Sequence, residues 1–212
     1  MGPLHDTAWE GQCDRIRALV RREGPLAVDC YDMFGHTAAM LAAQNGQLDA
    51  LRVLVELGAD TTLTSRAGRG TKSFRDMAEN RGQMRVVRWL ERSMAWTPLH
   101  HACDARAGPA RVCALLRSDG ADPRQPSSLG ETLLQIAVLS DPSQGALPEC
   151  AATTAIIRQA LLPWVPERHM LFPRSFNRVV MTLLLLGGRL APSVPREVWL
   201  GKVAPRLQRA DL

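Results

Sequence analysis

Aromatic side chains are scarce: five Trp, four Phe and one Tyr make up 5% of the 212 residues. A core of ordinary size must then be built from Leu, Val, Ala and Met. Long apolar runs are absent as well. The longest, Val179–Leu186, is interrupted by Thr182 and falls far short of the roughly 20 residues that span a bilayer. No membrane association is expected. Met1–Glu10 has neither a basic n-region nor an apolar h-region, so no secretory leader is expected there. Pro3 after Gly2, and Asp6 where Ser or Thr is wanted, argue against myristoylation.

The five cysteines, Cys13, Cys30, Cys103, Cys113 and Cys150, are odd in number and form no C-x-x-C pair. That arithmetic fits neither a disulfide framework nor a zinc ribbon. It fits buried thiols in the reducing cytoplasm or nucleus. The familiar catalytic signatures, G-x-S-x-G, H-E-x-x-H and paired carboxylates, are missing too. No enzyme, cofactor or metal is expected. Lysine occurs only at Lys72 and Lys202 among 26 basic residues. The arginine excess reflects either selection for bidentate anion contacts or the codon bias of a G+C-rich genome.

What is present is ordinary in bulk and uneven in distribution. Hydrophobic residues are 46% and charged residues 22%, as in globular chains. The net charge is +5, and Arg66–Arg92 alone has eight basic and three acidic residues, also +5. One segment carries the whole imbalance.

A repeat organises the chain. Asp32–Asp60 contains Gly35, Thr37, Ala42-Ala43, Gly46, an apolar Leu51–Leu54–Val55 face and a closing Gly58-Ala59-Asp60. A second copy opens with Thr97-Pro98-Leu99-His100-His101-Ala102 and runs through Val112, Leu115 and Leu116 to Gly120-Ala121-Asp122. Degenerate copies begin at Leu4-His5, Ser73 and Gly130, and Phe176–Leu190 reads as the outer helix of a sixth. Thr37 and Thr97 suit helix N-caps, Pro98 suits the first helical position, and Gly46 and Gly58 suit left-handed helix ends. The positions 37, 73, 97 and 132 are spaced by 36, 24 and 35 residues. The short interval predicts that the finger between Leu90 and Thr97 is missing. Ser140–Ala151, rich in Pro, Gly and Ser, predicts an exposed insertion between two helices.

In these residues the chain resembles the ankyrin-repeat family, whose period is about 33 residues. It departs from the family at Ala38-Ala39, where Pro-Leu is usual, and at Met40, where His is usual. The resemblance implies an all-α solenoid of five to six helix-turn-helix units with short β-hairpin or turn fingers over 4–190, with the insertion at 140–151 and a capping tail over 191–212. It implies a non-enzymatic scaffold that binds another protein through fingertips and concave inner helices. Carried over, the tips are Tyr31, Met33 and Phe34; Thr62, Leu63, Ser65 and Arg66; and Arg124 and Gln125. The inner-helix positions are Leu41, Gln44, Asn45, His101 and Asp104. Tyr31 and Phe34 lead as exposed aromatics. His100 is implied to be structural, bonding to neighbouring backbone.

Two further segments carry rival readings. Pro195–Leu207 resembles the opening of F-box-like segments, which implies a ubiquitin-ligase adaptor; the alternative is a terminal cap. Arg81, Arg85, Arg88 and Arg92 fall on one helical face, opposite Val86, Val87 and Leu90. They form a stripe for an acidic protein surface or another polyanion. The lack of a nucleic-acid module or stacking platform argues against nucleic acid. Arg66–Ser73 superficially suggests a phosphate loop, but Arg66 and Thr71 stand where glycine is needed, so a basic fingertip fits better. His100 and Cys103 have helical ligand spacing, but no second pair completes a metal site.

Overall fold

The computed structural model describes residues 2–66, 71–118, 121–127, 129–139, 148–162 and 170–175, together with 177, 178, 180 and 182. Among them every regular element is helical, and these elements include α1 (Pro3–Glu10), α2 (Cys13–Glu23), a 3-10 turn (Pro25–Ala27), α3 (Ala38–Gln44), α4 (Leu48–Glu56), α5 (Phe74–Asn80), α6 (Met84–Ser93), α7 (Pro98–Asp104), α8 (Pro109–Leu116), α9 (Leu133–Leu139) and α10 (Pro148–Ala160). None of these helices is long and apolar enough to cross a membrane.

Short inner helices alternate with outer ones because α3, α5 and α7 each start at a hydroxyl cap and stop at a left-handed turn. Thr37, Ser73 and Thr97 accept the backbone N–H three residues on, and the side chains of Met40, Asp76 and His100 reach back to the cap residue. Thr132 and Gln135 repeat the reciprocal pair at α9. Such a box satisfies two otherwise orphaned N–H groups. At the other end, Gly11, Gly46 and Gly82 have φ of 77°, 73° and 69°. The next residue's N–H then reaches back to Thr7, Ala42 and Ala78 and reverses the chain.

The chain divides into two compact units, Met1–Trp96 and Thr97–Leu212. In the first, α1, α3 and α5 pack side by side as the inner layer, and α2 packs on α4 outside. Ala38, Ala39, Ala42 and Ala43 are fully buried, which lets the inner helices approach closely. One apolar cluster runs from Leu4 through Met40, Leu51, Leu54 and Phe74 to Trp89. The unit is also tied by Asn45, whose Nδ2 donates to the Trp9 carbonyl at 2.8 Å, and by a 3.0 Å ion pair of Arg17 with the buried Glu56. In the second unit α7 packs on α9, and α8 and α9 both meet α10. Leu99, Leu116, Leu133, Ile136 and Ile157 fill it.

Two expectations are refined. The fingers are closed turns, with no strand among the described residues. The expected loop 140–151 is shorter, since α10 already begins at Pro148; 140–147 lie outside the described residues. Only Met94–Thr97 joins α6 to α7, and no finger intervenes. The sixth unit lies largely outside the described residues, and the tail 191–212 wholly so.

Candidate functional site

The finger that opens the second repeat, with Tyr31, Met33 and Phe34 at its tip, is built around Asp32. Its Oδ1 accepts from the backbone N–H of Phe34 and of His36, both at 2.9 Å. The Asp32 N–H donates to the His36 carbonyl at 2.8 Å, and the Gly35 N–H to the Asp32 carbonyl at 3.0 Å. Gly35 holds φ at 76° to close the turn. A short acceptor that hydrogen-bonds the backbone two residues on is the usual device for such a turn. Ser127 performs the same role later in the chain. Its Oγ accepts from Leu129 and Glu131, and its N–H donates to the Glu131 carbonyl. The third finger is closed by Ser65 N–H to Lys72 carbonyl, and it leans on the second through Arg66 N–H to Gly35 carbonyl at 2.8 Å.

These braces leave apolar side chains in solvent. Met33 is 81% exposed, Phe34 55%, and Leu129, at the place of Phe34 in its own finger, 65%. Beside the second tip, the Arg66 guanidinium lies 3.9 Å above the Tyr31 ring, a cation–π contact. The Tyr31 hydroxyl donates to the Thr64 carbonyl at 3.1 Å. Tyr31 is therefore half-buried and engaged, not the exposed aromatic expected.

Other positions also differ from expectation. Leu41 is buried because α3 presents almost its whole circumference to the core. Ser65 is buried under its own finger, its hydroxyl turned to the Gly35 carbonyl. Asp104 is buried at the end of α7. None of the three offers a contact surface. Gln44 and Asn45 are half-buried, and Asn45 is committed to Trp9. Thr62 is exposed with its hydroxyl on Asp60, and Leu63 is half-buried. Arg124 and Gln125 are exposed, the former donating to the Leu161 carbonyl at 3.2 Å.

The His100–Cys103 neighbourhood is structural in its geometry. His100 Nδ1 meets the Thr97 hydroxyl at 2.7 Å, and the ring also bonds the Gln125 backbone. His5 does the same to the Cys30 carbonyl, at 3.0 Å and with the same separation of 25 residues. Burial pushes the Cys103 thiol up to about 12, with Asp104 adding to it; it carries no thiolate at neutral pH. Burial holds both His100 and His101 below the usual imidazole range. Among the described residues no three His, Cys, Asp or Glu side chains converge on a metal-sized space. A cleft of about 210 Å³ in the second unit, lined by Pro98, Leu99, Leu115 and Ser118, holds none of the candidate residues.

On α6 the arginines are placed unequally. Arg85 and Arg88 are exposed on the helix, but Arg81 belongs to the turn before it, because the helix starts at Met84. Arg92 is half-buried, 5.4 Å from the centre of the Trp96 ring. The buried face includes Trp89 with Val86 and Val87, and Trp89 meets Trp96 edge-on at 6.4 Å. Trp89 belongs to the same apolar stripe as Val86, Val87 and Leu90, whereas Trp96 lies beyond the helix and outside its periodicity.

A family model of the ankyrin repeat matches residues 34–66 and 95–128. With the capped helix pairs and Gly-closed turns, this decides the family. The chain is an ankyrin-repeat protein. The matched segments cover α3–α4 and α7–α8, and α5–α6 repeats their capped construction with its left-handed turn. No curated protein matches the chain. Ankyrin repeats generally mediate protein–protein interactions and are typically non-enzymatic.

Proposed function

We propose that this chain is a non-enzymatic scaffold that captures another protein on its fingertips, with Met33 and Phe34 as the anchor. The observation that carries this reading is a pair of large apolar side chains, 81% and 55% exposed, on a turn held by four hydrogen bonds among Asp32, Phe34, Gly35 and His36. Exposed apolar groups on a rigid support lose little conformational entropy when covered, the condition under which a contact contributes most. Arg66 on Tyr31 supplies a polar rim, with Arg124 and Gln125 as further tip contacts and His101 as the inner-helix candidate. Proximity labelling with the full chain and with Met33→Ser/Phe34→Ser tests it. The variant is expected to keep its helicity and melting temperature but lose the partners labelled by the parent. An unchanged partner set would remove the fingertip from the reading.

A further inference from the structure

The outer helices carry a charge register that changes sign once. At equivalent positions α2 has Asp14 and Arg17, α4 has Asp49 and Arg52, and α6 has Arg85 and Arg88. In α4 the pair closes as an ion pair of 3.0 Å. In α6 an arginine replaces the aspartate, so Arg88 loses its neighbour. Arg85 also stands in the first turn of its helix, where an acid is favoured by the helix dipole and a cation is disfavoured; α2 and α4 have acids there and α6 has none.

The surrounding acids do not compensate. Glu79 and Glu91 both hold Arg75, at 2.6 and 2.8 Å, and Asp76 is spent on capping Ser73. Arg81, Arg85 and Arg88 form no ion pair with any described residue and are exposed. Met84, half exposed, stands between them in the first turn of α6, four residues from Arg88. The segment 81–88 thus exposes three arginine side chains and one large apolar side chain.

We infer that this ridge docks an acidic protein segment carrying an apolar side chain, its carboxylates on Arg81, Arg85 and Arg88 and its apolar group over Met84. Guanidinium forks match carboxylates bidentately, and the uncompensated charge draws such a segment in. Met84 selects a peptide over a phosphate polymer, because a nucleic-acid backbone has nothing apolar to place there and the ridge has no exposed aromatic ring for a base to stack on. This goes beyond the fingertip reading and uses a different surface.

Fluorescence polarisation with the full chain tests it with three probes: a labelled peptide of Glu-Asp pairs alternating with Leu, the same peptide with Leu replaced by Ser, and a single-stranded oligodeoxynucleotide of equal charge. The Leu peptide should bind best, and more weakly as salt rises. Arg85→Glu/Arg88→Glu should weaken it by about tenfold and flatten the salt dependence. Met84→Ser should weaken it by about threefold and make the Leu and Ser peptides equal. The Arg85→Glu change restores an acid to the first turn, so melting should not fall, which separates lost binding from lost folding. Met33→Ser/Phe34→Ser should bind the Leu peptide as the parent does. Tighter binding of the oligonucleotide, equal binding of the two peptides to the parent, no binding of any probe, or unaltered binding by the charge-reversed variant would each overturn the inference.

Discussion

Gly11, Gly46 and Gly82 occupy the same turn in successive helix pairs, and in the fourth pair Arg106 takes that place with φ of 53°. The turn demands a left-handed residue, and glycine is the one that meets the demand without strain. What surrounds each glycine differs. A Cβ on Gly46 would run into the Gln83 carboxamide, whereas one on Gly82 would meet nothing. Gly82→Ala should therefore cost only the left-handed strain, about 1 kcal/mol. Gly46→Ala should cost nearly the same, since the Gln83 carboxamide is the far end of a flexible side chain and can turn aside. A clearly larger loss for Gly46→Ala in urea melts would show that Gln83 is held in place. Gly46 was legible from its place after a helical stripe. Its partner was not, because a contact between neighbouring repeats leaves no mark in either one's own periodicity. The same limit explains Ser65 and Tyr31: both sit at fingertip positions by register, and both are turned inward by hydrogen bonds to carbonyls 30 and 33 residues away.

At the scale of the element, the outer helices show how charge and packing divide the work. Arg17 on α2 reaches Glu56 on α4, whose side chain is only 2% exposed. Removing one partner strands a charge, so Glu56→Ala should destabilise by about 1–3 kcal/mol, below the cost of a fully buried pair because Arg17 keeps contact with water. Glu56→Gln should recover part of this by accepting from Arg17; a loss equal to that of the alanine variant would assign the effect to packing instead. The first turn of α6 gives the opposite sign. Arg85→Asp should stabilise the chain by about 0.3–1 kcal/mol, read as a higher melting temperature. A fall in melting temperature would mean that Arg85 supports the fold. The helix pairs themselves were plain in the sequence because caps, turn glycines and aliphatic stripes recur in order. The side-chain environment of inner helices was less plain. An apolar residue such as Leu41 reads equally as a contact or as core, and only the alanine-rich packing around α3 decides for core.

Across the whole chain, the interval of 24 residues between Ser73 and Thr97 already signalled a missing finger, and the connection Met94–Thr97 shows how little chain remains there. The two compact units meet in sequence at this point, and their ionisable interiors differ. The second contains His100 and His101, both held below the usual imidazole range, chiefly by burial. In the unfolded chain these rings take up protons near the ordinary value of about 6.5. The native state resists protonation until the pH is lower. In that window the unfolded state binds more protons, so stability is complete above the ordinary value and falls as the pH drops below it. Asp60 and Asp76 are held below the usual carboxylate range, Asp60 mainly by its hydrogen bonds with Thr62 and Asp76 mainly by those with Ser73. Their contribution is lost only at more acid pH, below about 4. Hydrogen exchange at pH 5.5 against 7.5 should therefore show loss of protection in 97–116 and little change in 38–56, after correction for the intrinsic pH dependence of exchange. His101→Gln should blunt the acid loss while keeping the Thr97–His100 cap. Equal loss in both segments, or no change on removing His101, would show that these two imidazoles do not govern the acid response.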